Sequence, residues 1–386
     1  MKRKFRIAWD VRKLDTRKAG IGNYIYHFLK QVSIFNKNYE FILYTDKKIN
    51  NLDLSKDHLL VTTELPIIGA NFLRKVVSPF WLNVILPKYL QKNKIDIFHS
   101  PNHLLPLFYK GKTIVTVHDL IPFTLPEVYG FWYPAYLRLL FPPTFKKADA
   151  IIAVSQTTKN DLLSLFDIKE EKIKVIYNGL DANFKLIEDR NLLEKKRLYL
   201  NLPEKFILFV GTVEYRKNLK RLLHAFGELA KKENLTHKLV IAGKFGIGAN
   251  EIIRTVNSLG IQEKVVFLNY VSYDLLPFLY NLADIFIYPS LYEGFGLPVI
   301  EAMACGTPVI TTNCSSLKEI AEGYALLVDP YKPEDITEKI ELLLHDENTR
   351  RELIKKGLRR SQMFSWEKTA ERILEAYDEI LYEQVT

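Results

Sequence analysis

The amino-acid sequence predicts an α/β fold of two doubly wound domains, each a parallel sheet covered by helices on both faces. Three observations point there. Short, nearly continuous β-branched runs alternate with stretches of helical period; the alternation occurs twice, with a polar segment between; and 386 residues, 48% of them hydrophobic, exceed one ordinary core and suit two domains.

The first series of runs is RIAWDV (6–11), FILYT (41–45), DIFHS (96–100), TIVTVHD (113–119), AIIAVS (150–155) and KVIYNG (174–179). Such runs lack the alternation of a sheet with one wet face, and GNYIYHFLKQV (22–32) supplies a helical stretch after the first of them. The second series is FILFVG (206–211), KLVIAG (238–243), VVFLNY (265–270), IFIYPS (285–290), PVITT (308–312) and ALLVDP (325–330). The Lys/Glu-rich stretch 183–205 between them is the expected linker, which sets an N-terminal domain at 1–182 and a C-terminal domain at 206–365. Amphipathic helices follow from about Pro333, and the last, 366–386, is a candidate to pack back on the N-terminal domain. Ligands of doubly wound sheets bind beyond the carboxyl ends of the strands. Two such domains facing each other would line a cleft, with a two-part substrate split across it.

Composition narrows the classes. No run of about 18 apolar residues occurs, and the N-terminus MKRKFRIAWDV passes straight into a strand without a signal-peptide core, so a cytoplasmic protein is expected. Cys305 and Cys314 stand in no CxxC or His-rich spacing, which favours buried free thiols over a disulfide framework or a zinc site. Charge is uneven: residues 1–185 hold 28 Lys/Arg against 16 Asp/Glu, net +12, and residues 186–386 hold 26 against 29, net −3. A basic half suits nucleic acid, an anionic bilayer surface or an anionic substrate. Without a zinc finger or RNA-binding signature, nucleic acid is set aside. Aromatic residues crowd the same half, in SPFWLNVILPKYL (78–90) and YGFWYPAYLRLLFPP (129–143), mingled with Lys88 and Arg138. These segments either seat at a lipid headgroup layer or pack inside the protein; both readings stand.

The most informative stretch is LYEGFGLPVIEAMACGTPVI (291–310), a loop at the end of the strand IFIYPS followed by a helix with Pro298 in its first turn. Gly294 and Gly296 let backbone approach a ligand, and the helix N-terminus receives an anion or hydroxyl oxygens. Glu293 in the loop and Glu301 inside the helix are placed to accept hydrogen bonds from sugar and ribose hydroxyls, or else they cap the helix and favour its dipole. In GTVEYRKN, Arg216 and Lys217 follow a buried strand, where they either neutralise charge on a departing diphosphate or are simply solvated. His118 and Asp119 close the strand TIVTVHD. KAGIGNYIYHFL places Gly20 and Gly22 ahead of a helix; as a dinucleotide fingerprint it fails, because the third glycine position is Ile25, and a dehydrogenase is disfavoured.

Residues 293–310 resemble the E-x7-E signature of the retaining glycosyltransferases of family 4, which have the GT-B architecture of two facing Rossmann-like domains. The likeness spans nearly the whole chain: AGIGNYIYHFL, TVHDLIP, AVSQTTKNDL, VIYNGLD, GTVEYRKNL, YPSLYEGFGLP and LLVDP occur in the family's order. It implies that Glu293 contacts the transferred sugar, Glu301 the nucleotide ribose, Lys217 the phosphates and His118 the donor sugar. The implied donor site is Gly211, Thr212, Arg216, Lys217, Glu293, Gly294, Phe295, Gly296, Leu297 and Glu301, and Gly20, Gly22 and Asn23 form a loop toward acceptor and phosphate. His118, Glu293, Lys217 and Arg216 make up the catalytic set. One departure is Thr212, where many members carry arginine after the motif glycine; Arg216 is the candidate to supply that charge.

No D-x-D occurs, so no metal and no cofactor are expected beyond a nucleoside diphosphate sugar as co-substrate. The expected activity is metal-independent, retaining transfer of a hexose, mannose favoured, to a hydroxyl of a glycan or polyprenyl-diphosphate-linked acceptor. Peripheral attachment to an anionic inner membrane face goes with it. A nucleotide-sugar epimerase of the same architecture and a catalytically silent subunit remain the alternatives.

Overall fold

The computed structural model describes residues 4–14, 20–35, 38–45, 58–62, 80–129, 132–232 and 235–382. The chain forms two units: Met1–Gly179 together with Trp366–Thr386, and Leu180–Ser365.

The sheet of unit 1 contains β1 (Phe5–Asp10), β2 (Tyr39–Thr45), β3 (His58–Thr62), β4 (Ile97–Ser100), β5 (Lys112–Val117), β6 (Ala150–Ala153) and β7 (Ile173–Val175), in the order β3-β2-β1-β4-β5-β6-β7. Every described pairing is parallel, for instance Ile7 opposite Phe41 on one side and Ile97 on the other. Unit 2 contains β8 (Phe206–Val210), β9 (Lys238–Ala242), β10 (Val265–Asn269), β11 (Ile285–Tyr288), β12 (Val309–Thr312) and β13 (Leu326–Val328), ordered β10-β9-β8-β11-β12-β13. Both orders reverse beside the first strand of the unit, the switch point at which doubly wound sheets bind ligands. The strands lie close to where the apolar runs predict, and some stop earlier: β5 ends at Val117 and β11 at Tyr288, which leaves His118 and Ser290 in loops, as Glu293 is. Strand β3 has no counterpart among the expected runs; its HLLVT core is short and set among charged residues.

Unit 1 has a core on each face of its sheet. Ile7 and Trp9 pack with Phe28, Ile97 and Ile152, whereas Ala8 packs with Ile42, Val115 and Phe141. The helix Trp366–Tyr382 closes the first core with Trp366, Ala370, Ile373, Tyr377 and Ile380, one stripe at helical spacing. A buried polar chain crosses this core. Trp9 Nε1 donates to the Tyr377 hydroxyl at 2.8 Å, that hydroxyl lies 2.6 Å from His99 Nδ1, and His99 Nε2 lies 2.8 Å from Thr116 Oγ1. Both ring nitrogens of His99 are thus spent inside this chain. Burial pushes His99 down to about 3, so it stays neutral.

The stretch 183–205 belongs to unit 2, where it carries the helix Arg190–Tyr199. None of that helix is buried, which explains its polar composition, and the boundary between units falls at Gly179 and Leu180 instead. The two aromatic segments behave differently from each other. Trp81 is fully buried with the Arg12 guanidinium 4.3 Å over its ring, whereas Trp132 is 82% exposed at the start of the helix Trp132–Lys147. Tyr133, Tyr136 and Leu139 of that helix are exposed too, and Phe131 lies outside the described residues. Among the described residues no helix is long and apolar enough to cross a membrane.

Candidate functional site

Two loops at the carboxyl edge of the unit 2 sheet meet. After β8, a single turn, Tyr215–Lys217, leads through Asn218, in the left-handed region at φ 59°, into the helix Leu219–Ala230. After β11, the loop runs to Gly296, which begins the helix Leu297–Ala304 at φ 106°. Only glycine suits that position, because a Cβ there would also lie 2.6 Å from Leu317 Cδ2. The loops are tied by Leu291 N–H, which donates to the Arg216 carbonyl at 2.9 Å, with Ser290 Oγ 3.1 Å from the same oxygen.

Glu293 is the centre of this junction. Lys217 Nζ lies 2.5 Å and Arg216 Nη1 2.7 Å from its two carboxylate oxygens. Ser290 Oγ at 2.6 Å and the Tyr288 hydroxyl at 3.0 Å also donate to it. Its backbone is pinned as well, by Ser315 Oγ accepting from the N–H and Ser316 Oγ donating to the carbonyl. Burial works to raise the Glu293 carboxyl, but Arg216, Lys217 and the hydrogen bonds outweigh it and hold the group at about 2, ionised at any physiological pH. Lys217 is 6% exposed, sits over the Tyr288 ring at 4.9 Å and is lowered from the ordinary lysine range by burial, an effect Glu293 opposes. Arg216 keeps its charge because Glu293 and Glu214 outweigh its burial.

Glu301 lies in the second turn of its helix, buried, and accepts a hydrogen bond from the Tyr280 hydroxyl at 2.9 Å. Burial raises its carboxyl to about 7, with the Asp181 charge adding to the rise and Tyr280 opposing it. Neither carboxylate caps the helix, since both are committed to other partners.

In unit 1, the His118 Nε2 edge lies 3.0 Å from the Pro101 carbonyl, so the hydrogen sits on Nε2 and the lone pair on Nδ1. Burial and the nearby His103 push His118 down to about 3, with Asp119 and the Pro101 bond opposing. Asp119 turns back to accept from Ile121 N–H at 3.2 Å. His103 itself occupies the left-handed region at φ 60°, and Leu104 N–H donates to the Asn102 carbonyl at 2.8 Å across it. That three-residue turn with a positive central φ is the strained form, worth about 1–3 kcal/mol at a non-glycine residue.

The structure thus gathers Arg216, Lys217 and Glu293 into one ionic group, with Gly294, Phe295, Gly296 and Leu297 leading into the helix behind it. Thr212 is exposed on the loop ahead, and the charge near the site comes from Arg216. Gly20, Gly22 and Asn23 do not form a loop: the helix Gly20–Phe35 already starts at Gly20, which puts all three in its first turn. Tyr288, Ser290, Tyr280 and His103 were not singled out by sequence reasoning. The first two stand in the quoted IFIYPS run, at the strand end nearest Glu293, and that position was the available signal.

Comparison with known proteins places the chain in a family. The family Glycosyltransferase Family 4 matches residues 19–184, and Glycosyl transferases group 1 matches residues 192–360. O-antigen chain mannosyltransferase B of Escherichia coli is 30% identical over 289 residues, 75% of each chain. Serotype-specific mannosyltransferase WbdA of Escherichia coli is 33% identical over 276 residues, 70% of this chain but only 34% of its own length. Among solved structures, sucrose-phosphate synthase from Thermosynechococcus elongatus shares the fold, with a TM-score of 0.80 at 21% identity over 99% of this chain and all of that one.

Proposed function

The chain belongs to the family 4, group 1 glycosyltransferases of GT-B fold, and on that basis we propose that it transfers mannose, with retention and without a metal, from GDP-mannose to a hydroxyl of a glycan. The observation that carries this reading is the buried group of Arg216, Lys217 and Glu293 at the carboxyl edge of β8 and β11. Two fixed cations beside one carboxylate can stabilise the charge that develops on a departing diphosphate, the contribution usually largest in such transfers. Glu293, ionised and held by four donors, is an acceptor for sugar hydroxyls and leaves the lysine positioned. Glu301 accepts from ribose hydroxyls in this scheme. The sugar leaves through an oxocarbenium-like state while a donor phosphate oxygen takes the acceptor proton on the same face, which retains configuration. The names of the matched mannosyltransferases favour mannose and polysaccharide acceptors. A polyprenyl-diphosphate-linked acceptor at an anionic membrane face suits the +12 first half and the exposed Trp132.

Incubation with GDP-mannose, UDP-glucose or ADP-glucose and a mannoside acceptor, followed by NMR of the new linkage, tests the proposal. The expected product is an α-mannoside from GDP-mannose at a rate unaffected by excess chelator. A β-product, transfer only from another donor, or activity lost on chelation and restored by magnesium would overturn the corresponding part.

A further inference from the structure

His103 and His118 lie side by side at the ends of β4 and β5, their ring centroids 5.7 Å apart and their planes at 79°. Both rings are half-buried, and their hydrogen-bonding edges are complementary. His118 has its hydrogen on Nε2, spent on the Pro101 carbonyl, so what it offers is the Nδ1 lone pair. His103 has its Nδ1 buried with no hydrogen-bond partner. A buried lone pair without a partner is more readily tolerated than a buried N–H without one, which assigns the His103 hydrogen to Nε2. His103 therefore offers a donor where its neighbour offers an acceptor, and among the described residues no group bonds that donor.

Two further features hold His103 in this state. Burial, with the Lys13 charge beside it, pushes its ring down to about 4, so both imidazoles are neutral across the physiological range. The ring also stacks on Phe141 with centroids 6.1 Å apart and planes at 17°, and the strained turn at φ 60° sets its backbone. Strain of this kind persists where the surroundings over-determine it, and such residues cluster at functional sites.

We propose that His103 is a further substrate-contacting residue, and that with His118 it binds one sugar hydroxyl: the hydroxyl donates to His118 Nδ1 and accepts from His103 Nε2–H. A hydroxyl is the group that is donor and acceptor at one oxygen, so it satisfies both edges, whereas a phosphate oxygen or an ammonium satisfies one. This rests on the chain's being a sugar transferase and not on the donor, metal requirement or stereochemistry proposed above. The hydroxyl belongs to the transferred hexose or to the acceptor glycan, and the experiment separates the two.

The variant His103→Gly removes the ring and relaxes the positive φ, so it is expected to melt no lower than the parent protein. With whichever nucleotide sugar is turned over, kcat/KM should fall at least 10-fold. A rise in the KM for the nucleotide sugar assigns the hydroxyl to the transferred hexose, and a rise in the KM for the acceptor assigns it to the glycan. His103→Gly with kcat and both KM values unchanged overturns the proposal. Independently of any activity, ring nitrogen NMR of the full chain should show His103 and His118 neutral at pH 6 with hydrogen on Nε2. A hydrogen on His103 Nδ1, or a protonated His103 at that pH, overturns it even if the donor proposed above is correct.

Discussion

The two units share strand order and the placement of chemistry at strand ends, yet they solve the burial of polar groups in opposite ways. At the edge of unit 2, three charged side chains and two hydroxyls gather around Glu293; the partners of Glu293 and Arg216 outweigh their burial, and Glu293 opposes the burial that lowers Lys217. At the edge of unit 1, His103 and His118 have no strong counter-charge and stay neutral because burial wins. Preorganised charge suits a group whose charge changes in the reaction, such as a diphosphate. Neutral imidazoles suit a group that does not change charge, such as a hydroxyl. On the proposals above, the same fold carries an electrostatic site on one unit and a hydrogen-bonding site on the other.

The largest effect that could break this contrast is at Lys217. Lys217→Ala removes one preorganised cation and is expected to lower turnover by about 100-fold or more, equivalent to roughly 2.7–4 kcal/mol. Folding should survive, since Arg216 still pairs with Glu293 at 2.7 Å. Normal turnover in a folded variant would remove the electrostatic role from unit 2.

A second effect separates the two carboxylates of unit 2 by the sign of their pH dependence. Glu293 is held at about 2, below its unfolded value, so its contribution to stability is present at neutral pH and is lost only as pH falls toward 2. Glu301 is raised to about 7, so its contribution is present below the unfolded carboxyl range and is lost as pH rises through 7. Denaturant titrations between pH 5 and 8 should therefore show stability falling by roughly 3 kcal/mol at most, and Glu301→Gln should flatten that slope. A slope unchanged by the substitution would mean that Glu301 ionises normally.

How much of this was legible beforehand follows from the distance over which each feature is encoded. Strands such as FILFV were readable because a parallel strand buried on both faces is apolar throughout, a local property. Glu293 was readable from its Gly-Phe-Gly turn and the family resemblance, but its ion pair with Lys217 joins residues 76 positions apart and leaves no local trace. His103 was illegible for a different reason: a histidine in a loop carries no periodicity, and its significance lies in a backbone angle and a missing partner. The polar helix Arg190–Tyr199 reads as a connector because an exposed helix and a linker share a composition.

The third effect tests whether neutral networks also hold unit 1 together. Tyr377→Phe deletes the hydroxyl between Trp9 and His99, leaving Trp9 Nε1–H and His99 Nδ1 buried without their partner. The expected loss is about 1–3 kcal/mol in chemical denaturation, the scale for stranding buried polar groups. No loss would mean that the aromatic stripe of the C-terminal helix alone secures the unit.

The smallest effect sharpens the comparison at the surface. Unit 1 holds nearly all of the +12 half, and its helix Trp132–Lys147 presents Trp132, Tyr136 and Leu139, spaced four and three residues apart and all exposed. Exposed apolar residues at that spacing lie along one side of a helix, and a ring such as Trp132 settles at the headgroup level of a bilayer. Basic side chains near an anionic surface add about 1 kcal/mol each. Reversible binding to phosphatidylserine-containing vesicles is therefore expected, weakening as salt shortens the screening length to roughly 8 Å at physiological ionic strength. Trp132→Ala should weaken that binding several-fold while leaving transfer to a water-soluble acceptor intact, because an 82%-exposed ring contributes little to the core. Vesicle co-sedimentation decides between the surfaces: no binding at low salt would make the exposed stripe an ordinary solvent face and favour a soluble glycan as the acceptor.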